Sequence, residues 1–245
     1  MNPKKSKLIV FGTDSALANI NKDNFIIKYG GENIPFVKEI RYLGLKITNN
    51  LSWDKHITEL CQSLNYKIVQ LREIRRSGAS QSLLLTFYKT FIQQKIDYGI
   101  SIWGGTTKEN LHRVQRLQNR AIRIIIDNHS RSVRGLDLVK SLKLEKIEER
   151  RNYFLTKLTF ETIHGLAPIN LCNRVIMRVD MHGYETRSVC NMDVHLPKVN
   201  VAIYKYSLLY FGGLLWNKLP LSLKNYASID TFKLNYKNHF NPKHN

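Results

Sequence analysis

The chain has 245 residues, enough for one large domain or two small ones, and its 43% hydrophobic content excludes a disordered protein. Against 19 Asp and Glu it carries 38 Lys and Arg, a formal net charge of +19 at pH 7. Such an excess repels itself unless a polyanion neutralises it, so nucleic acid is the leading partner class; an anionic membrane surface and a merely basic soluble domain are the alternatives.

The first fifty residues read as strands. "KLIVFG" (7–12) is a short apolar run, and "NFIIKYGG" (24–31) ends in a glycine pair that signals a turn. "IPFVKEIRYLGLKIT" (34–48) alternates as a third strand, with Gly44 requiring a bulge or a close backbone approach. At Ser52 the period changes. Ser52 or Asp54 is placed to cap a helix running to about Arg76, with Ile57, Leu60, Leu64, Ile68 and Leu71 on one stripe. After "SGAS" (77–80), a second helix over roughly 80–98 is apolar nearly all round, which predicts burial. "GISIWGGTTKEN" makes a turn, and Thr107 is the expected cap of a third helix from about 108 to 127. Shorter helical patterns follow near 133–142, 145–164 and 168–178. The stretch 183–200 is polar and irregular, and two last helical patterns are broken by "WNKLP" at 216–220. The expected fold class is therefore α+β: a small antiparallel β piece followed by a mostly α-helical region.

The third helix carries the sharpest signal. At about 100° per residue, Arg113, Arg116, Arg120 and Arg123 share an arc of roughly 80°, and no acid is read on that stripe. Leu111, Val114, Leu117, Ala121, Ile124 and Ile125 fill the opposite side. An arginine column of this kind can track a phosphate backbone; the plain alternative is a solvated face. Arg72, Arg75 and Arg76 form a second cluster at the end of the first long helix, where cations also complement the helix dipole.

Cys61, Cys172 and Cys190 are odd in number and widely spaced, the pattern of a reducing, intracellular setting rather than a disulfide framework. Cys172, His182, Cys190 and His195 fall in one stretch but lack the tight pair that zinc sites show, so no metal site is expected. No secretory signal is legible, and the longest apolar-rich run, "SLLYFGGLLW" at 207–216, is too short to span a membrane. The aspartates are scattered with no Asp-Asp pair, and Asp97 reads as a structural acceptor at a buried helix end. No catalytic residue is assigned.

"NPKKSKLIVFG" followed by "RYLGLKITNNLSWDKHI" resembles the end of the reverse transcriptase domain in non-LTR retrotransposons of the jockey-like group. The likeness runs on through "YGISIWGG", "LQNRAIRIII", "LVKSLKLEKIEERR", "HGLAPINL" and "LLWNKLPLSL". It implies the end of a polymerase palm at 1–50, a thumb-like helical region at 51–130 and a helical C-terminal region at 131–245. Lys5, with Ser6, would then lie near the incoming nucleotide's phosphates. Tyr42, Leu43 and Gly44 would form the corner that steadies the primer end. Trp53, Trp103 and Trp216 are read as packing anchors. Because the family's Asp-Asp hairpin precedes the matched segment, the resemblance implies a truncated polymerase piece, inactive alone. Mg2+ is expected only for the full-length enzyme. The implied partners are RNA and DNA, as template–primer or element RNA, together with the upstream polymerase portion, in the nucleus or a cytoplasmic ribonucleoprotein. A host-retained nucleic-acid-binding module and a decayed remnant without function are the other readings.

Overall fold

The computed structural model describes residues 6–19, 27–128, 135–181 and 191–240. In chain order the elements are α1 (Asp14–Ala18), β1 (Lys28–Tyr29), β2 (Glu32–Asn33), β3 (Glu39–Tyr42), β4 (Leu45–Thr48) and α2 (Asp54–Arg76). Then come α3 (Gln81–Phe87), a π-helical segment (Tyr88–Gln93), α4 (Gln94–Asp97), α5 (Ile100–Trp103) and α6 (Lys108–Ile126). The remainder comprises α7 (Gly135–Ser141), α8 (Ile147–Ile163), α9 (Ile169–Cys172), α10 (Gly213–Asn217), α11 (Leu221–Lys224) and α12 (Ile229–Phe240), with a second π-helical segment at Leu208–Gly212. The fold is α+β: among the described residues there are two small antiparallel sheets and a helical remainder. The chain divides into two compact units, Met1–Lys95 with Thr106–His129, and Ile96–Gly105 with Ser130–Asn245.

In the first unit, the expected strand at 7–12 is reduced to a single parallel bridge between Leu8 and Phe36. The glycine pair does turn the chain: Gly30 and Gly31, at φ 59° and 80°, close the β1–β2 hairpin. The stretch 34–48 is not one strand with a bulge. It folds back on itself as the β3–β4 hairpin, pairing Tyr42 with Leu45 and Glu39 with Thr48. Leu43 and Gly44 form its two-residue turn, both left-handed, with φ 45° and 79°. That geometry matches the twist of the flanking strands and normally selects Asn-Gly. Leucine lacks any local compensation for a positive φ, so this turn stores strain. Replacing it, Leu43→Asn, is expected to raise stability by about 0.5–1 kcal/mol in urea unfolding. An unchanged midpoint would show that Leu43 carries no strain.

Charge fastens this hairpin to α2. Lys46 pairs with Glu39 (3.1 Å) and Glu59 (2.9 Å), while Arg41 also reaches Glu59 and Lys55 reaches Glu39. Hydrogen bonds from Lys55 and Lys46 hold the Glu39 carboxyl below its usual range, and Lys46 does the same first for Glu59. The alternating register leaves Ile40, Tyr42, Leu45 and Ile47 on the opposite face of the hairpin.

The α2 stripe buries Ile57, Leu60, Leu64, Ile68 and Leu71, as the 3.6-residue period requires. Its start differs in detail: Trp53 holds the cap position without a side-chain bond, and the Ser52 hydroxyl accepts from the Asp54 amide (3.3 Å). The helical run from Gln81 is the larger surprise. It is not buried all round. Leu84, Tyr88, Ile92 and Ile96 face inward, while Leu83 and Phe91 are exposed. Inward residues four apart would drift by about 40° per step on an ideal α-helix. The wider π turn at Tyr88–Gln93 takes up that drift and keeps them on one face.

The second unit is built around an aromatic core in which Phe160, Trp216, Phe232, Tyr153 and Tyr236 meet. "WNKLP" is a clamp. The Trp216 indole donates to the Met192 carbonyl (2.9 Å), and Asn217 bonds both the amide and the carbonyl of Val194. Lys224 is fully buried and donates to Asp193 Oδ1 (2.7 Å) and the Asn191 carbonyl (2.9 Å). Trp103 and Trp216 are anchors, both wholly buried, whereas Trp53 is only half-buried and sits edge-on to His56. Gly104 admits no side chain: a Cβ there would lie 2.3 Å from the Ile100 carbonyl and 2.8 Å from Arg151 Cγ. Asp97 is a structural acceptor, as its sequence setting suggests. Its two oxygens receive the Arg150 guanidinium, which Glu145 also engages (3.0 Å).

Candidate nucleic-acid interface

Helix α6 forms as its sequence dictates. The Thr107 hydroxyl accepts from the Asn110 amide (3.3 Å), and Asp127 ends the helix in a left-handed turn. Leu111, Val114, Ala121, Ile122, Ile124 and Ile125 are buried, and Gln118 donates to the buried Tyr88 hydroxyl (2.9 Å). This fixes the helix rotation and turns the arginine face outward.

That face lies along α2. Asn110 Nδ2 donates to Asp54 (2.6 Å), Arg113 to Thr58 Oγ1 (3.0 Å), Arg120 to Asn65 Oδ1 (3.2 Å), and Arg75 pairs with Asp127 (2.8 Å). Partners advance together on both helices, so α2 and α6 run parallel. Thr58, Cys61, Asn65 and Arg72 form one stripe of α2, facing the column across the seam. From Arg113 to Arg123 the column spans about 15 Å, at 1.5 Å per residue.

The arginines are not equivalent. Arg113 is braced by two neutral oxygens, Asn110 Oδ1 and Thr58 Oγ1, each at 3.0 Å. Arg120 is also held by a neutral oxygen and is exposed, and Arg123 is half-buried. Neutral braces orient a guanidinium without cancelling its charge. Arg116 corrects the reading of an acid-free stripe. Glu109, two turns back on the same face, accepts from it at 3.3 Å, both side chains being about two-thirds exposed. Asp54 closes the same end of the seam; hydrogen bonds from Ser52 and then Asn110 hold its carboxyl below the usual range, with Arg113 adding to the effect. Burial pushes the Cys61 thiol up, against the pull of Arg113 and Arg116.

The second cluster divides. Arg75 is bound to Asp127 and Arg76 to Glu73 (2.8 Å), while Arg72 lies on the seam stripe without a hydrogen-bond or ion-pair partner among the described residues. Tyr42, Leu43 and Gly44 stand apart at the hairpin tip, with Leu43 71% exposed. Lys5 lies outside the described residues, as do His182 and Cys190. Among the described residues no three His, Cys, Asp or Glu side chains converge as a metal ion would need, and no helix is long and apolar enough to cross a membrane. The braces on α2 are not evident from the arginine pattern alone. Thr58 and Asn65, seven residues apart on α2, were the available signal.

The sequence is 30% identical over 121 residues to a probable RNA-directed DNA polymerase from the transposon X-element of Drosophila melanogaster. It is 32% identical over 114 residues to the corresponding protein of transposon BS, and 23% over 126 residues to the RNA-directed DNA polymerase of the mobile element jockey, both from the same fly. These matches cover 49%, 46% and 51% of this chain. Over about half its length, the chain is related to the reverse transcriptases of jockey-like non-LTR retrotransposons. The matched part makes up only 13%, 12% and 14% of those jockey-like relatives. No family model matches the chain, and no solved structure does.

Proposed function

We propose that this reverse-transcriptase-related chain holds nucleic acid, template–primer duplex or element RNA, along the α2–α6 seam, without synthesis of its own. The arginine column carries the reading: Arg113 and Arg120 are pre-positioned by neutral oxygens. Arg116, whose partner Glu109 is exposed, and Arg123 complete the column, Arg72 lies beside it, and the +19 net charge favours any polyanion approaching it. The exposed tip at Tyr42, Leu43 and Gly44 would meet a strand end close to the hairpin backbone. No Asp-Asp pair lies in the sequence, and several of its acids hold cations in place, as Asp97 does Arg150 and Asp193 does Lys224. Mg2+ would therefore act only where a full-length polymerase supplies its ligands.

Anisotropy with a short DNA duplex across a salt series tests the reading. Four phosphate contacts give a slope of log K against log salt of about −3.6. Binding that ignores salt, or none at all, overturns it. In primer extension on an RNA template with magnesium or manganese, no product is expected. Extension that persists through repurification would remove the non-catalytic assignment.

A further inference from the structure

The apolar surplus of the second helical run, which faces outward instead of into the core, gathers at one place. Phe87 and Phe91, four residues apart, lie 4.8 Å apart between the centroids of their tilted rings, with Phe91 46% exposed. Across from them on α2, Tyr66 is 64% exposed. The Lys67 ammonium lies between, 5.7 Å from the Tyr66 ring and 5.2 Å from that of Phe91. Strand β3 runs beside α2 from Lys55 toward Glu59, so the β3–β4 tip points to the turn that carries Tyr66. On the α2 helix, Tyr66 sits about 100° from the stripe facing the arginine column, so this patch is a separate surface.

We propose that Tyr66, Phe87 and Phe91, with Lys67, form a stacking platform for unpaired bases of a single-stranded nucleic acid. Aromatic faces accept any base, and a lysine among them supplies a cation for the adjoining phosphate. Charge argues for this occupant. The stretches 62–71 and 81–96 that build the surface hold Lys67, Lys89 and Lys95 and no Asp or Glu. The π segment supports a purpose beyond packing: it satisfies the inward face through Tyr88 and Ile92 while leaving Phe91 at the surface. The inference extends the seam reading, a duplex on the arginines and an unpaired strand on the aromatics.

The test uses the full chain with two probes, a blunt DNA duplex and an unstructured oligo(dA) carrying a fluorescent adenine analogue whose emission is quenched by stacking. Phe91→Ala is expected to weaken oligo(dA) binding about 10-fold and abolish the quenching, with duplex affinity and its salt slope unchanged. Phe91→Trp should restore both. Tyr66→Ala, at a more exposed position, should act in the same direction and guards against a folding defect in the first variant, with circular dichroism confirming the helices. Wild-type binding of oligo(dA) without quenching, or with both alanine variants unaffected, overturns the platform. So does a chain that binds duplex alone, which leaves the arginine seam standing. Binding of neither probe removes the seam reading as well. If Phe91→Ala instead disperses a dimer in sedimentation equilibrium and leaves oligo(dA) binding intact, the patch is a contact between copies and the proposal falls.

Discussion

Asp97→Ala is expected to destabilise the second unit by about 3 kcal/mol, because it strands a guanidinium taken out of water. Arg150 and Asp97 expose only 14% and 15% of their side chains and meet through two hydrogen bonds. Glu145 remains, at 3.0 Å, which keeps the loss near the lower end of the range for a broken buried pair. The measurement is urea unfolding followed by tryptophan emission, since Trp103 and Trp216 are both buried in this unit. The midpoint should fall with the slope unchanged. Removing all three charges, Asp97→Leu with Arg150→Met and Glu145→Gln, should recover most of the stability, because the cost lies in an uncompensated charge and not in the loss of a bond. A single variant as stable as wild type would mean that water solvates Arg150 freely.

The second large effect is on binding. Arg116→Gln with Arg120→Gln should flatten the salt dependence of duplex affinity by about 1.8, from roughly 0.9 per lost phosphate contact. Over a fourfold rise in salt that difference is about 12-fold in relative affinity. Glutamine keeps the helix intact, having nearly the same propensity as arginine. Glu109 supplies an opposite-sign control. Glu109→Gln frees Arg116 from its acid partner and should tighten binding. If neither change moves the slope while folding is normal, the column is a solvated face. The charge would then act elsewhere, with the basic helix α12 the next surface to test.

The two long helices were legible because their sequences repeat apolar residues at the helical period, and burial follows that period directly. The β3–β4 turn was not, since Leu-Gly carries no hairpin signal. Long-range charge pairs such as Lys46 with Glu59 fasten the hairpin that holds leucine in a left-handed turn. The run from Gln81 differs from its expected burial for another reason. Composition all round a helix cannot say which face is covered, and the fourfold spacing of Leu84, Tyr88, Ile92 and Ile96 has meaning only once a π turn is allowed. The arginine column was visible as a pattern. Its pairing with Glu109 was not, because an acid two turns away becomes a partner only when side-chain rotamers are fixed.

The chain enters the second unit at Ile96, leaves it at Gly105 and returns at Ser130, so the sequence of one unit is interleaved with that of the other. Neither can be isolated by a single cut. A chain ended at residue 129 would carry Asp97, Ile100 and Trp103 without the Arg150 and α8 surfaces that receive them. During synthesis the same stretch must wait for residues some fifty positions downstream, leaving a tryptophan and two isoleucines uncovered in the interval. A ribosome-bound intermediate of this protein should therefore be a better chaperone client than either finished unit.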